Sequence, residues 1–276
     1  MKLGIVGHGV VGSAMARFLS RRPEHEVVIF DKFLPPFDSP ALKEAINTCE
    51  LVFLCVPTPL APDGLSCEIS AVEESVGWIT APMCIRSTVI PGTVDRLSAA
   101  TGKRIAFSPE YVGERPGHLW REEGECGFLI VGGPRDLCEL VTAAYSACLP
   151  PGTKYYCTTA RAAELCKYME NCFLAAKVAF VNQFYDIAQA FGVGFEELRE
   201  LWLADTRVGS SHTAVTQERG FRGRCLPKDL SALVSAMRPL GGAPLLEAIL
   251  SYNRALCDSA DQAARQASSP IVPPPL

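Results

Sequence analysis

The 276-residue sequence predicts an α/β protein: a doubly wound, mostly parallel sheet followed by an all-helical domain built on one long helix. Three observations lead there. Short apolar runs of strand type alternate with helical ones through the first half, the order that puts helices on both faces of a parallel sheet. The first of these strands runs directly into the glycine array GIVGHGVVG, which opens a helix. After TKYYCTT the alternation stops, and the chain from about Ala160 to Phe191 contains neither Pro nor Gly.

Taken in order, KLGIVG, EVVIFD and LVFLCVP are strands, and the helices VGSAMARFLSRR and ALKEAINTC separate them. APMCIRSTV, KRIAFSPE and GFLIVGG supply later strands, with AVEESVGWI and RDLCELVTAAYSACL as helices among them. In the second half GFEELRELWL, LPKDLSALVSAM and PLLEAILSYNRALCDSADQAARQ follow the long helix. The expected division is a sheet domain over 1–158, a helical domain over 159–266 and a loose proline-rich tail over 267–276.

Composition narrows the function classes. With 48% hydrophobic and 20% charged residues the chain is globular, and a net charge of −4 gives no nucleic-acid footprint. No apolar run is long enough to cross a bilayer, and MKLGIVGHG enters a strand directly, so no membrane association and a cytoplasmic location are expected. Twelve cysteines occur without a C-x-x-C pair and beside only four histidines, so no metal site is expected. Most of them are read as small buried hydrophobes in a reducing compartment.

Gly7, Gly9 and Gly12 form G-x-G-x-x-G between a strand and a helix, the Rossmann arrangement. The first glycine permits the tight turn, the second admits a pyrophosphate, and the third allows close helix packing at a helix N-terminus that favours phosphate. His8, Val10 and Val11 belong to the same cradle, with His8 contributing its backbone. Asp31 ends the second strand nineteen residues after Gly12, placed to accept ribose hydroxyls and to repel a 2′-phosphate, which favours NAD.

Four further places carry candidate chemistry. Lys167 and Asn171, four apart, project from one face of the long helix, a cation and an amide suited to a developing oxyanion. Glu110 and Glu114 in FSPEYVGE follow a strand end, where a carboxylate faces the ligand crevice. Ser87 and Thr88 in RSTVIPGTV end another strand, and either contact a ligand or cap the next turn. Cys225 sits in GFRGRCLPKD between two arginines and shortly before Lys228 and Asp229, cations that favour a thiolate.

These segments, in order, resemble the UDP-glucose/GDP-mannose dehydrogenase family: GIVGHGVVG, VFLCVPTP, RSTVIPGT, SPEYVGE, AELCKYMENCFLAAKVAFVNQ, DTRVG, GFRGRCLPKD and PLLEAILSYN. The resemblance implies NAD-dependent oxidation of a nucleotide-sugar alcohol to the uronic acid. Cys225 matches the nucleophile that holds the aldehyde as a thiohemiacetal and then as a thioester. Lys167 and Asn171 match the oxyanion pair, Asp229 the acid working with the lysine and a water, and Thr88 and Glu110 the residues that position water or act as base. Val56, Pro57, Thr58, Ser87, Thr88 and Glu114 fall in cofactor-contacting segments. Tyr111, Phe221, Gly223 and Arg224 fall in substrate-contacting ones. Arg207 matches an arginine that reaches a neighbouring subunit's substrate, implying a homodimer built on the long helix.

Two departures from that pattern stand out. The family loop G-F-G-G-S-C has glycine and serine where this chain has Arg222 and Arg224, bulky charges that narrow the pocket or call for an anionic partner. Family members also continue into a third domain that holds the nucleotide, so a short form lacking it is expected. Three readings follow, in order of preference. The first is an active short dehydrogenase for a nucleotide sugar or a small anionic substrate. The second is a two-domain hydroxyacid dehydrogenase making one hydride transfer without Cys225. The third is a non-catalytic NAD-binding homologue.

Overall fold

A computed structural model describes residues 1–113 and 120–267. Glu114 and nearly all of the proline-rich segment lie outside the described residues. The chain forms two compact units, Met1–Ala61 with Cys67–Lys167, and Pro62–Ser66 with the chain from Tyr168 onward.

The first unit holds seven strands: β1 (Lys2–Val6), β2 (Glu26–Phe30), β3 (Leu51–Leu54), β4 (Met83–Ile85), β5 (Ile105–Phe107), β6 (Phe128–Gly132) and β7 (Lys154–Thr158). They lie in the order β2-β1-β3-β4-β5-β6-β7. Every pairing is parallel except β5 with β6, which meet antiparallel at Phe107 and Gly132. The expected doubly wound sheet is therefore present, with one strand more than the sequence announced. Strand β7 is KYYCT with all five residues exposed, so it has no buried face to impress an alternation on the sequence.

Helices α1 (Val10–Leu19), α2 (Pro40–Ile46), α3 (Ser70–Trp78), α4 (Thr93–Thr101) and α5 (Arg135–Ser146) cover the sheet. Side chains alternate between faces along each strand. Leu3, Ile5, Leu51 and Phe53 pack with Met15 and Phe18 of α1 and Leu137 and Val141 of α5. Their neighbours Val6, Val52 and Leu54 pack with Ile46 of α2, Val72 and Val76 of α3 and Val94 of α4. Both faces are dry, which is why these strands read as continuous apolar runs.

Helix α6 (Ala160–Ala190) is the long helix, and α7 (Phe195–Leu203), α8 (Leu226–Met237) and α9 (Pro244–Ala267) follow it. In the second unit Cys172 and Ala175 of α6 pack with Phe221, Leu230 of α8 and Leu250 of α9, while Val181 and Ala188 pack with Phe195 of α7. All twelve cysteines are free; Cys49, Cys84, Cys138 and Cys172 are buried, and Cys157, Cys166 and Cys225 are exposed. Among the described residues no helix is long and apolar enough to cross a membrane.

Candidate active site

Strand order reverses between β1 and β3, and the turns leaving these two strands border the crevice where such sheets take ligands. Gly7 has φ +90°, and a Cβ there would stand 2.6 Å from the Cys55 carbonyl oxygen. A Cβ on Gly12 would stand 1.9 Å from the Gly7 carbonyl oxygen, whereas one on Gly9 would meet nothing within 4 Å. Two glycines thus close the turn and the third leaves open space at the N-terminus of α1, the cradle a pyrophosphate requires. Asp31 accepts from the His8 N–H at 2.7 Å and from the Phe33 N–H at 2.9 Å. The His8 ring packs against Phe37, with centroids 4.6 Å apart. Val10 opens α1 exposed and Val11 is half-buried. Val56, Pro57 and Thr58 follow β3 on the other side of the crevice.

Arg86, at the end of β4, is buried and holds the next strand end in place. Its guanidinium donates to the Ser108 hydroxyl at 2.9 Å and to the Pro109 carbonyl at 3.0 Å, and forks onto Glu123 at 2.7 and 2.8 Å. The Tyr145 hydroxyl donates to the same carboxylate at 2.9 Å. Burial works against the Arg86 charge, but Glu123 more than offsets it and holds the guanidinium above its ordinary pKa. The Ser87 hydroxyl donates to the Val56 carbonyl at 2.6 Å, tying β4 to β3 instead of capping the following turn. Thr88 is half-buried beside it.

Glu110 follows β5 with one oxygen accepting the Val112 N–H at 3.0 Å. Burial pushes this carboxyl up, while the charges of Lys167 and Arg86 draw it back. Lys167 is buried, and its ammonium lies 4.8 Å from the centre of the Tyr111 ring. Tyr111 in turn meets Phe128 edge-on at 5.0 Å. The first unit therefore brings together Glu110, Tyr111 and Lys167.

In the second unit Asn171 and Asp229 are both buried, and the amide donates to the carboxylate at 2.6 Å. The other Asp229 oxygen accepts from Lys228 at 2.5 Å. Cys225 stands immediately before α8, and its carbonyl accepts the Asp229 N–H at 2.9 Å. Its thiol side is exposed, at a helix N-terminus with partial positive charge. Gly223 has φ +91°, and Arg224 is exposed. Phe221 is only 3% exposed and its ring belongs to the core, with its N–H and carbonyl both bonded to Asn253. Arg207 is exposed and forks onto Asp205, two residues earlier. Arg222, read from sequence as narrowing the pocket or calling for an anionic ligand, has its anion within the chain: it pairs with Asp261 of α9 at 2.8 Å. Its charge is therefore not free to favour a Cys225 thiolate.

Arg86, Glu123, Glu164 and Asn253 were not singled out from the sequence. Only the RSTV and SYN segments hinted at two of them, because their partners lie 32 to 72 residues away.

Residues 161–255 match the model of the UDP-glucose/GDP-mannose dehydrogenase family, central domain. The chain is 29% identical over 307 aligned positions to UDP-glucose 6-dehydrogenase AglM of Haloferax volcanii, covering 92% of this chain and 69% of that protein. It superposes on a UDP-glucose dehydrogenase from Pyrobaculum islandicum with a TM-score of 0.82 at 25% identity, over 96% of this chain and 71% of that one. A 3-hydroxyisobutyrate dehydrogenase from Mycobacterium tuberculosis shares the fold, with a TM-score of 0.65 at 17% identity over 97% of this chain and 99% of that one. The chain spans about half to two thirds of the length of the curated relatives it matches. The family resemblance read from the motifs is borne out.

Proposed function

We propose, from a central segment that matches the UDP-glucose/GDP-mannose dehydrogenase family over residues 161–255, that this chain is an NAD-dependent dehydrogenase oxidising the primary alcohol of a nucleotide sugar to the uronic acid. The observation that carries the reading is the buried Asn171–Asp229 hydrogen bond, with an exposed cysteine at the start of the helix that supplies Asp229. Residues 1–158 serve as the cofactor domain and 159–266 as the catalytic and dimerisation domain.

Gly7, Gly9 and Gly12 hold the pyrophosphate, Asp31 the ribose, and Val56, Pro57, Thr58, Ser87 and Thr88 the rest of the cofactor. NAD, when bound, supplies the hydride acceptor for both oxidations. Glu110, whose burial raises its affinity for a proton, takes the alcohol proton or orients water. Lys167 and Asn171 stabilise the oxygen that gains charge when the Cys225 thiolate adds to the aldehyde carbon and forms a C–S bond. Oxidation of that adduct leaves a thioester. Water attacks its carbonyl carbon, the C–S bond breaks, and the thiolate departs, with Asp229 managing the proton. Arg207 reaches the partner's substrate after leaving Asp205. A homodimer through α6 and a cytoplasmic, reducing setting complete the reading; twelve unpaired cysteines support the latter.

The test counts NADH formed per substrate consumed, with UDP- and GDP-sugars and small hydroxyacids. Two NADH per nucleotide sugar are expected from the wild type, and at most one from Cys225→Ser, with aldehyde accumulating. One NADH per small hydroxyacid, unchanged in Cys225→Ser, would establish the two-domain hydroxyacid dehydrogenase instead. That alternative draws on the matching length of the mycobacterial structure.

A further inference from the structure

The loop that carries Cys225 is tied at its base by one side chain. The Arg222 guanidinium reaches Asp261 with two nitrogens, at 2.8 and 3.3 Å. It also donates to the Cys257 carbonyl at 3.1 Å and to the Glu218 carbonyl at 3.0 and 3.3 Å. One planar fork therefore joins the start of the loop, its middle and two consecutive turns of α9, a geometry that lysine does not reproduce. On the far side Cys225 is fixed by the start of α8. Between these anchors lie only Gly223, in the left-handed region at φ +91°, and Arg224. The ion pair neutralises Arg222 locally and turns its bulk away toward α9.

We infer that the Arg222–Asp261 pair is a clamp that positions Cys225, making Arg222 a positioning residue and not a ligand for a substrate anion. The neighbouring anchors do not duplicate it. Asn253 holds Phe221 through that residue's backbone, and Asn182 and Asp186 hold Arg219, all upstream of Arg222. Without the clamp, the stretch free to move grows from two residues to three and gains a charged side chain with no fixed anion.

The inference rests on the proposed role of Cys225 for its catalytic meaning, but its physical content is tested without substrate. In full-length protein, amide hydrogen exchange over residues 222–225 is measured for wild type, Arg222→Ala, Asp261→Asn, and the exchanged pair Arg222→Asp with Asp261→Arg. Each single variant should speed exchange in the loop at least fivefold while the β1–β3 strands keep wild-type rates, which also reports that the protein is folded. The exchanged pair should return the loop to within about twofold of wild type. Wild-type loop exchange in both single variants overturns the clamp, as does an exchanged pair as fast as the single variants.

If the protein turns over a nucleotide sugar, Arg222→Ala should lower kcat at least tenfold with KM within twofold of wild type. A rise in KM alone would make Arg222 a substrate ligand and overturn the inference. Absence of turnover in the wild type with the loop behaving as expected refutes the proposed function and leaves the clamp standing.

Discussion

A single arginine at residue 86 shows how one side chain organises chemistry it does not perform. Its nitrogens reach Ser108, Pro109 and Glu123, so the strand end bearing Ser87 and Thr88 is locked to the segment leading into Glu110. Arg86 and Glu123 are 1% and 7% exposed at their side chains, so neither charge has water to fall back on. Removing one member of such a pair strands the other. Arg86→Met should therefore destabilise the protein by about 3–5 kcal/mol in urea unfolding. Adding Glu123→Gln should recover part of that loss, because the uncompensated charge goes with it. A loss below about 1 kcal/mol for Arg86→Met would show that Glu123 finds another partner or a proton.

Among elements, α4 has no cap of its own: its N-cap is Gly92, in the left-handed region at φ +95°. Glu164 of α6 caps it instead, accepting the Gly92 N–H at 2.6 Å and the Val94 N–H at 2.9 Å. Burial raises this carboxyl from 4.5 to about 7, against the pull of the two N–H donors. Its folded pKa lies above its unfolded one, so its contribution to stability is fully present below about 4.5 and is lost as pH rises through about 7. Thermal unfolding of wild type against Glu164→Gln should give a stability difference that moves against the wild type between pH 5 and pH 8. A difference independent of pH would show that Glu164 titrates like a solvated carboxylate. The same element shows what the sequence lets one read. Helix α8 was legible as LPKDLSALVSAM because proline marks its first turn and apolar residues recur at helical spacing. The glycine cradle was legible because the constraint and the residues that satisfy it are neighbours in the chain. The cap on α4, the Arg86 network and the Asp261 partner of Arg222 were not legible, since each joins residues 37 to 72 positions apart. β7 escaped for the opposite reason, with no buried face to leave a pattern.

At the scale of the whole molecule, the proposed dimer has its physical basis in an apolar stripe on α6. Met169, Phe173, Phe180, Phe184, Ile187 and Phe191 follow one another at steps of four, seven, four, three and four residues, which keeps them on one face of the helix. Met169, Phe173 and Phe191 are 74%, 63% and 81% exposed in the isolated chain. The stripe covers roughly 33 Å of helix at 1.5 Å per residue, and a row of exposed aromatic side chains of that length is characteristic of a surface that another chain covers. Two copies related by a two-fold axis satisfy it with the same residues on both sides, which is the usual way a homodimer closes. Phe173→Glu tests this with little expected harm to the monomer, because the wild-type ring is largely exposed. Light scattering on the eluting protein should give twice the chain mass for wild type at micromolar concentration and the single-chain mass for the variant. If NADH formation accompanies the dimer, the monomeric variant should lose it together with any contribution of Arg207 to the partner's substrate, whereas Arg207→Ala should lower activity and leave the mass doubled. A wild-type protein of single-chain mass would exclude α6 as a self-association surface, and with it any role for Arg207 across subunits.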